Sequence, residues 1–222
     1  MFANFFLLLH RNCDVHGIMK LIIMTQPTYF VEEDKILSAL FDEGLDMLHI
    51  NKPASEPLYA ERLLTLLPKS CYGRIVVHQH YYLKHEFDLR GVHIDDPRQP
   101  VPEGFSGFRK HVTRSTASIG DLKEMKRQCD YVMLHSLFDS LHDSVRASLT
   151  TEDLQNARRR GIIDKKVYAL GGMSLENVHL ARELGFGGVV ICGDLWNRFC
   201  IHNEISFHNI IEHFKKIKKA VS

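Results

Sequence analysis

The run Val167-Tyr168-Ala169-Leu170-Gly171-Gly172-Met173-Ser174, followed after one helical pattern by Gly187-Gly188-Val189-Val190-Ile191-Cys192-Gly193, decides the fold. Val-Tyr-Ala-Leu and Gly-Val-Val-Ile are apolar on both faces, which suits strands covered by helices rather than strands with one wet face. Between them Leu175 to Leu184 carries the helical period, with Ser174 as its start signal and Gly185 closing it. Strand, helix and strand in this order make a parallel crossover.

The same alternation extends back to Lys20. Further strands are expected at Leu21 to Met24, Met47 to Ile50, Ile75 to His78, Gly91 to Ile94, Phe108 to Val112 and Tyr131 to His135. With Val167 to Leu170 and Val189 to Cys192 they make about eight. Helical patterns fall at Glu33 to Glu43, Leu58 to Leu67, Ser118 to Arg127, Thr151 to Arg160 and Ser206 to Lys219, with Ser118 and Thr151 as start signals. The stretch from Ile94 to Phe108 holds Pro97, Pro100, Pro102, Gly104 and Gly107, so the fourth crossover is expected to be a loop. No Pro/Gly/Ser-rich linker divides the chain. The fold class expected is α/β, a single-domain (β/α)8 TIM barrel, with an open doubly wound sheet as the alternative.

Composition narrows the function. The chain has 222 residues, 25 % charged and 45 % hydrophobic, with 28 Lys and Arg against 27 Asp and Glu. A formal net charge of +1 without a sustained basic run argues against nucleic acid as a partner, because phosphate backbones are bound by clustered positive charge. The tail Lys215, Lys216, Lys218, Lys219 reads as a solvated helix end. Five scattered cysteines without a C-x-x-C pair point to free thiols and a cytoplasmic location. Phe5-Phe6-Leu7-Leu8-Leu9 is too short to span a bilayer, and no membrane association is expected. Residues 1–18 read as an N-terminal extension with Met19 as the natural start, and 19–222 as the barrel.

In a barrel, chemistry gathers where each strand turns polar at its C-terminal end. Those positions are His49 and Asn51, His78 and Gln79, His93 with Asp95 and Asp96, Arg114-Ser115-Thr116, His135-Ser136, Gly171-Gly172 and Cys192-Gly193. His49, His78, His93 and His135 are expected near one mouth, as acid–base groups, ligand-binding groups or satisfied rim residues. No H-E-x-x-H spacing supports metal. Gly171 and Gly172, with Cys192 and Gly193, are expected to hold a phosphate between the seventh and eighth loops, where glycine allows close backbone approach to an anion. Asp95 and Asp96 offer hard oxygen ligands for Mg2+ beside a diphosphate, although Asp-Asp-Pro is also ordinary turn chemistry. Asp139 and Asp143 lie in a polar stretch read as a lid or an exposed loop, and Trp196 as a packing residue.

Four segments carry a family resemblance: Asp46-Met47-Leu48-His49-Ile50, Arg90-Gly91-Val92-His93-Ile94, Asp130-Tyr131-Val132-Met133-Leu134, and Ala169-Leu170-Gly171-Gly172-Met173 with Gly187 to Gly193. In order and spacing the chain from Lys20 onward resembles thiamine phosphate synthase (thiamine-phosphate pyrophosphorylase) and its relative, the thiazole tautomerase TenI. The resemblance implies a (β/α)8 barrel and a role in thiamine biosynthesis. For a synthase it implies a transferase that joins hydroxymethylpyrimidine diphosphate to thiazole phosphate with release of Mg2+-bound diphosphate. It places the thiazole phosphate on Gly171, Gly172, Cys192 and Gly193, Ser115 near the pyrimidine and diphosphate, and His93 in the Gly-Val-His segment. Small phosphorylated heterocycles are then the partners, and a homo-oligomer is compatible with them.

Several positions depart from the synthase pattern. After strand two Gln-x-Arg-x-Lys is replaced by His49, Asn51 and Pro53, so that only the displaced Lys52 offers charge. The Asn-Asp pair after strand three is His78-Gln79, and the small glycine after strand six is His135. Without fixed positive charge, a departing diphosphate loses roughly several kcal/mol of stabilisation. His49-Ile50 is closer to TenI, yet Ala117 stands where a tautomerase histidine is wanted. His49, Asn51, Ser115 and His135 are therefore the candidate catalytic set, with His78, Gln79 and His93 lining the pocket. Three readings follow: a synthase, a TenI-like tautomerase or non-catalytic binder of thiazole phosphate or thiamine phosphate, and a sugar-phosphate barrel enzyme outside the family.

Overall fold

A computed structural model describes residues 18–105, 111–135, 137–138, 148–198 and 207–222. Eight parallel strands close into a barrel in sequence order, so the open-sheet alternative is set aside. They are β1 (Lys20–Met24), β2 (Met47–Ile50), β3 (Ile75–Val77), β4 (Gly91–Ile94), β5 (His111–Thr116), β6 (Tyr131–Leu134), β7 (Val167–Ala169) and β8 (Gly188–Ile191). The helices are α1 (Glu33–Asp42), α2 (Pro57–Leu66), α3 (Leu83–Glu86), α4 (Leu122–Gln128), α5 (Thr151–Arg159), α6 (Val178–Glu183), α7 (Gly193–Trp196) and α8 (Phe207–Val221). Closure is made by β1 against β8, with Lys20 opposite Gly188 and Ile23 opposite Ile191.

Strand alternation sorts the apolar residues into two cores. Outward-facing Leu21, Ile23, Leu48, Ile50, Val77, Val92, Val132, Leu134, Val189 and Ile191 pack under the helices. Inward-facing Ile22, Met24, Met47, Val76, Tyr131, Met133, Tyr168 and Val190 fill the barrel. The rings of Tyr131 and Tyr168 stack there at 4.3 Å. Glycine makes room at two inward positions. A Cβ on Gly91 would lie 2.0 Å from the carbonyl oxygen of His111, and one on Gly188 2.7 Å from the Tyr168 ring. Because the first obstacle is backbone, Gly91→Ala is expected to lower stability by about 3 kcal/mol, the upper part of the usual overpacking range, read from urea denaturation.

The sequence-based element bounds need four corrections. The fifth strand, expected at Phe108 to Val112, runs His111–Thr116, with 106–110 outside the described residues. Its polar second half is held by pairing, since Thr113 and Ser115 turn inward to His93 while Arg114 turns outward and donates to the carbonyls of Pro97 and Gln99. The helix expected from Ser118 begins at Leu122, because the Ser118 N–H is taken by the Thr116 hydroxyl, which itself donates to Asp121. The helix expected from Leu175 begins at Val178, since Asn177 and Asp194 take the Ser174 and Leu175 N–H groups. At α5 the capping residue is Thr150 rather than Thr151, in a reciprocal box with Asp153. Among the described residues 95–105 of the fourth crossover there is no helix, as the prolines predicted.

At the N-terminal end of the barrel, the two aspartates that open family-like segments act as ties. Asp46 accepts from the Leu21 N–H and pairs with Lys218, and Asp130 accepts from the Val112 N–H and faces His111. Cys71, Cys129 and Cys192 are free thiols. Trp196 is fully buried, as expected for a packing residue, and donates to the Met24 carbonyl. Among the described residues no helix is long and apolar enough to cross a membrane.

Candidate functional site

The inward position at the end of each strand belongs alternately to the barrel core and to its mouth. His49 from β2, His78 just after β3 and His93 from β4 are all buried and converge, each offering a ring nitrogen within 4.8 Å of the others. Nδ1 of His49 lies 2.9 Å from Nε2 of His78, and Nε2 of His49 lies 2.6 Å from the Tyr131 hydroxyl. A bond from β2 to β6, which are not neighbours in the sheet, crosses the barrel interior. His78 continues outward, its Nδ1 3.0 Å from Asp95 Oδ1. His93 is held between Thr113 at 2.7 Å and Ser115 at 2.6 Å. Every ring nitrogen of the three therefore has a partner, which is how polar groups are tolerated in a core.

Three of the four histidines expected at the mouth thus lie beneath it, and His135, half-buried, stays at the rim. The imidazoles of His78 and His93 are stacked, 4.2 Å apart with planes at 24°. Stacked rings point their lone pairs side by side rather than at one point, so three-histidine proximity alone does not make a tetrahedral metal site here. Burial first, then the neighbouring imidazoles of His78 and His111, holds His49 well below the usual histidine range. Burial likewise holds His93 far down, assisted by His78, His49 and Arg114. Both are neutral near pH 7. For His135 burial lowers the value, and the Asp95 carboxylate opposes that effect. Burial and the nearby Tyr168 raise Tyr131 well above the usual phenol range.

The remaining candidates divide into supports and rim groups. Gln79 is half-buried, accepts from the Lys52 N–H and donates to Asn51, so it fixes the loop after β2. Asn51, half-exposed, also donates to the Met24 sulfur. The side chain of Asp95 is 54 % exposed and faces His78, whereas Asp96 pairs with Arg98. The expectation that Lys52 offers a cation to the mouth is overturned. Its ammonium is buried against Glu33 at 2.6 Å and the Thr28 carbonyl at 2.8 Å, and lies over the Tyr29 ring. A separate groove of about 540 Å³ over Tyr29, Glu33 and Tyr59 opens between α1 and α2 and carries none of the strand-end residues.

On the opposite side the two glycine loops meet. Gly171 and Gly172 have φ of 93° and 63°, the left-handed region in which glycine is unstrained. Asn177 donates to the Gly172 carbonyl, and its side-chain oxygen accepts from Ser174. Asp194 ties the loops together by accepting from the Leu175 N–H at 3.0 Å and from His213 at 2.8 Å. Among the described residues the N–H groups of Gly171, Gly172 and Gly193 have no protein acceptor. Cys192, half-buried, precedes Gly193 at the start of α7. Sequence reasoning missed Tyr131, Thr113, Asn177 and Asp194 as site-building residues. Only Asp194, directly after a loop glycine, carried a local signal. Asp139 and Asp143 lie outside the described residues.

A closed (β/α)8 barrel, with polar groups at its strand C-termini and paired glycine loops after β7 and β8, defines the class of barrel proteins that act on small ligands at that end. Residues 22–195 match the family described as thiamine monophosphate synthase, and the chain belongs to that family. A thiamine-phosphate synthase of Flavobacterium johnsoniae is 19 % identical over 184 residues, spanning 78 % of this chain and 87 % of that protein. The crystal structure of a thiamine phosphate pyrophosphorylase from Bacteroides thetaiotaomicron superposes with a TM-score of 0.81 at 44 % identity, covering 91 % of this chain and 97 % of that one. A thiamine phosphate pyrophosphorylase from Pyrococcus furiosus shares the fold, with a TM-score of 0.68 at 15 % identity over 94 % of this chain and 98 % of that one.

Proposed function

We propose that this chain binds the thiazole phosphate of thiamine biosynthesis and catalyses proton transfer on it, a TenI-like tautomerisation carried by other groups than the histidine that Ala117 replaces. The observation that carries this reading is the kind of group at the strand ends. Asp95, His78 and His135 are acid–base groups, whereas among the described residues the nearby cations are engaged elsewhere: Lys52 with Glu33, Arg98 with Asp96, and Arg114 with loop carbonyls. Proton transfer needs positioned acids and bases, whereas expulsion of diphosphate needs fixed positive charge. The phosphate rests on the free N–H groups of Gly171, Gly172 and Gly193 beside Cys192, and the ring reaches toward Asn51, Ser115 and His135.

A second reading keeps the synthase reaction, joining hydroxymethylpyrimidine diphosphate to thiazole phosphate. The Bacteroides relative at 44 % identity, named a thiamine phosphate pyrophosphorylase, favours it. That reaction calls for Mg2+, for which Asp95 and Asp96 are the available hard ligands. Binding the ion would draw Asp95 from His78 and Asp96 from Arg98.

Calorimetric titration with thiazole phosphate, thiamine phosphate and the pyrimidine diphosphate, each with and without Mg2+, followed by product analysis, separates the readings. Binding of thiazole phosphate without Mg2+, and conversion of its tautomer, is the expected result. Mg2+-dependent diphosphate binding with thiamine phosphate formed would establish the second reading, and indifference to all three ligands would overturn both.

A further inference from the structure

Resting on the tautomerase reading, we propose that Asp95 is the proton-transferring group and that His78, His49 and Tyr131 form a one-way chain of hydrogen bonds that positions it. The chain runs from the mouth to the barrel centre with links of 3.0, 2.9 and 2.6 Å. Its polarity follows from donor and acceptor chemistry. An ionised Asp95 only accepts, so Nδ1 of His78 carries the hydrogen, and in the neutral imidazole Nε2 of His78 is left with a lone pair. Nδ1 of His49 donates to that lone pair, which leaves Nε2 of His49 to accept from the Tyr131 hydroxyl. Besides His49, that hydroxyl faces the Met47 sulfur at 3.0 Å, a weaker acceptor than imidazole nitrogen, and the Thr113 side chain.

The inner end of the chain does not give up its proton readily, since burial keeps His49 neutral and Tyr131 protonated near pH 7. Asp95 is thus fixed from behind while more than half of its side chain remains open to the mouth. The groups facing it are His78 after β3, His93 from β4 at 3.5 Å, Tyr81 from the turn before α3, and His135 beyond β6. In the reaction a carboxylate oxygen of Asp95 takes a proton from one position of the heterocycle, and the electron pair of that bond passes into the ring. The same proton returns at a second position. The change is isomeric and needs no oxidant, reductant or co-reactant.

Two measurements on the full-length protein test this. Nitrogen NMR of labelled imidazoles, with metal analysis of the same sample, reads the chain without reference to activity. Nδ1–H on both His49 and His78, with Nε2 of His78 bare, is expected. A doubly protonated His78 with an Nε2–H His49, or one bound metal ion per chain, would overturn the proposal. In turnover of the thiazole phosphate tautomer, Asp95→Asn is expected to abolish kcat while thiazole phosphate still binds. His78→Gln and Tyr131→Phe are expected to lower kcat about 10- to 100-fold with KM little changed, the usual scale for groups that orient a reacting residue. Asp95→Asn with wild-type kcat would overturn the proposal while leaving the tautomerase reading intact. Absence of turnover in the wild type would sink that reading and the role of Asp95 together, leaving the NMR to judge the chain alone.

Discussion

Lys52→Met is expected to destabilise the fold by about 3–5 kcal/mol, the usual cost of leaving one member of a buried ion pair without its partner. Both side chains are 2 % exposed, and the ammonium and carboxylate stand 2.6 Å apart. Burial pushes the Glu33 carboxyl up and the Lys52 ammonium down, each against the pull of its partner, so desolvation outweighs attraction on both sides. Oε2 of Glu33 has no hydrogen-bond partner, which leaves the pair incompletely satisfied. The double change Glu33→Leu with Lys52→Met is therefore expected to regain most of the loss, to within about 1 kcal/mol of the parent, because no unpaired charge remains. Urea denaturation of the two single variants and the double variant gives the coupling energy directly. Equal losses in the single and double variants would show that the contact of the ammonium with the Tyr29 ring matters more than its pairing with Glu33.

Gly172→Asp is expected to weaken thiazole phosphate binding by about 100-fold or more, a loss of about 3 kcal/mol, by calorimetry. Two effects add. The position has φ of 63°, which a side chain tolerates poorly, and a carboxylate there would face the N–H groups that would otherwise meet phosphate. Gly172→Asn separates them, since asparagine tolerates the same backbone without a charge. An affinity between that of the parent and that of Gly172→Asp is expected for it. Unchanged affinity in Gly172→Asp would move the phosphate away from the seventh and eighth loops.

The glycine loops were legible in the sequence because their signal is local: an apolar strand, two glycines and a helix start sit within one short stretch. The partners of Lys52 were not. Its place after β2 suggested a cation at the mouth, but Glu33 lies in a helix 19 residues earlier and reaches it only once the barrel has closed. The polar half of β5 was missed for the same reason. Thr113 and Ser115 are good strand residues only because His93, 20 and 22 residues away in sequence, completes their hydrogen bonds.

The barrel, its eight parallel strands and the family are readable from the residues alone, because alternation of short apolar runs with helical periods is a local pattern that admits few packings. The state of the polar groups comes instead from how the strands pack. His49 and Tyr131 lie 82 residues apart in sequence, and their meeting depends on barrel closure and on which face of each strand turns inward. Burial then decides which groups are neutral, which are paired and which stay free to act, because the energy of a charge depends on its surroundings more than on its residue type.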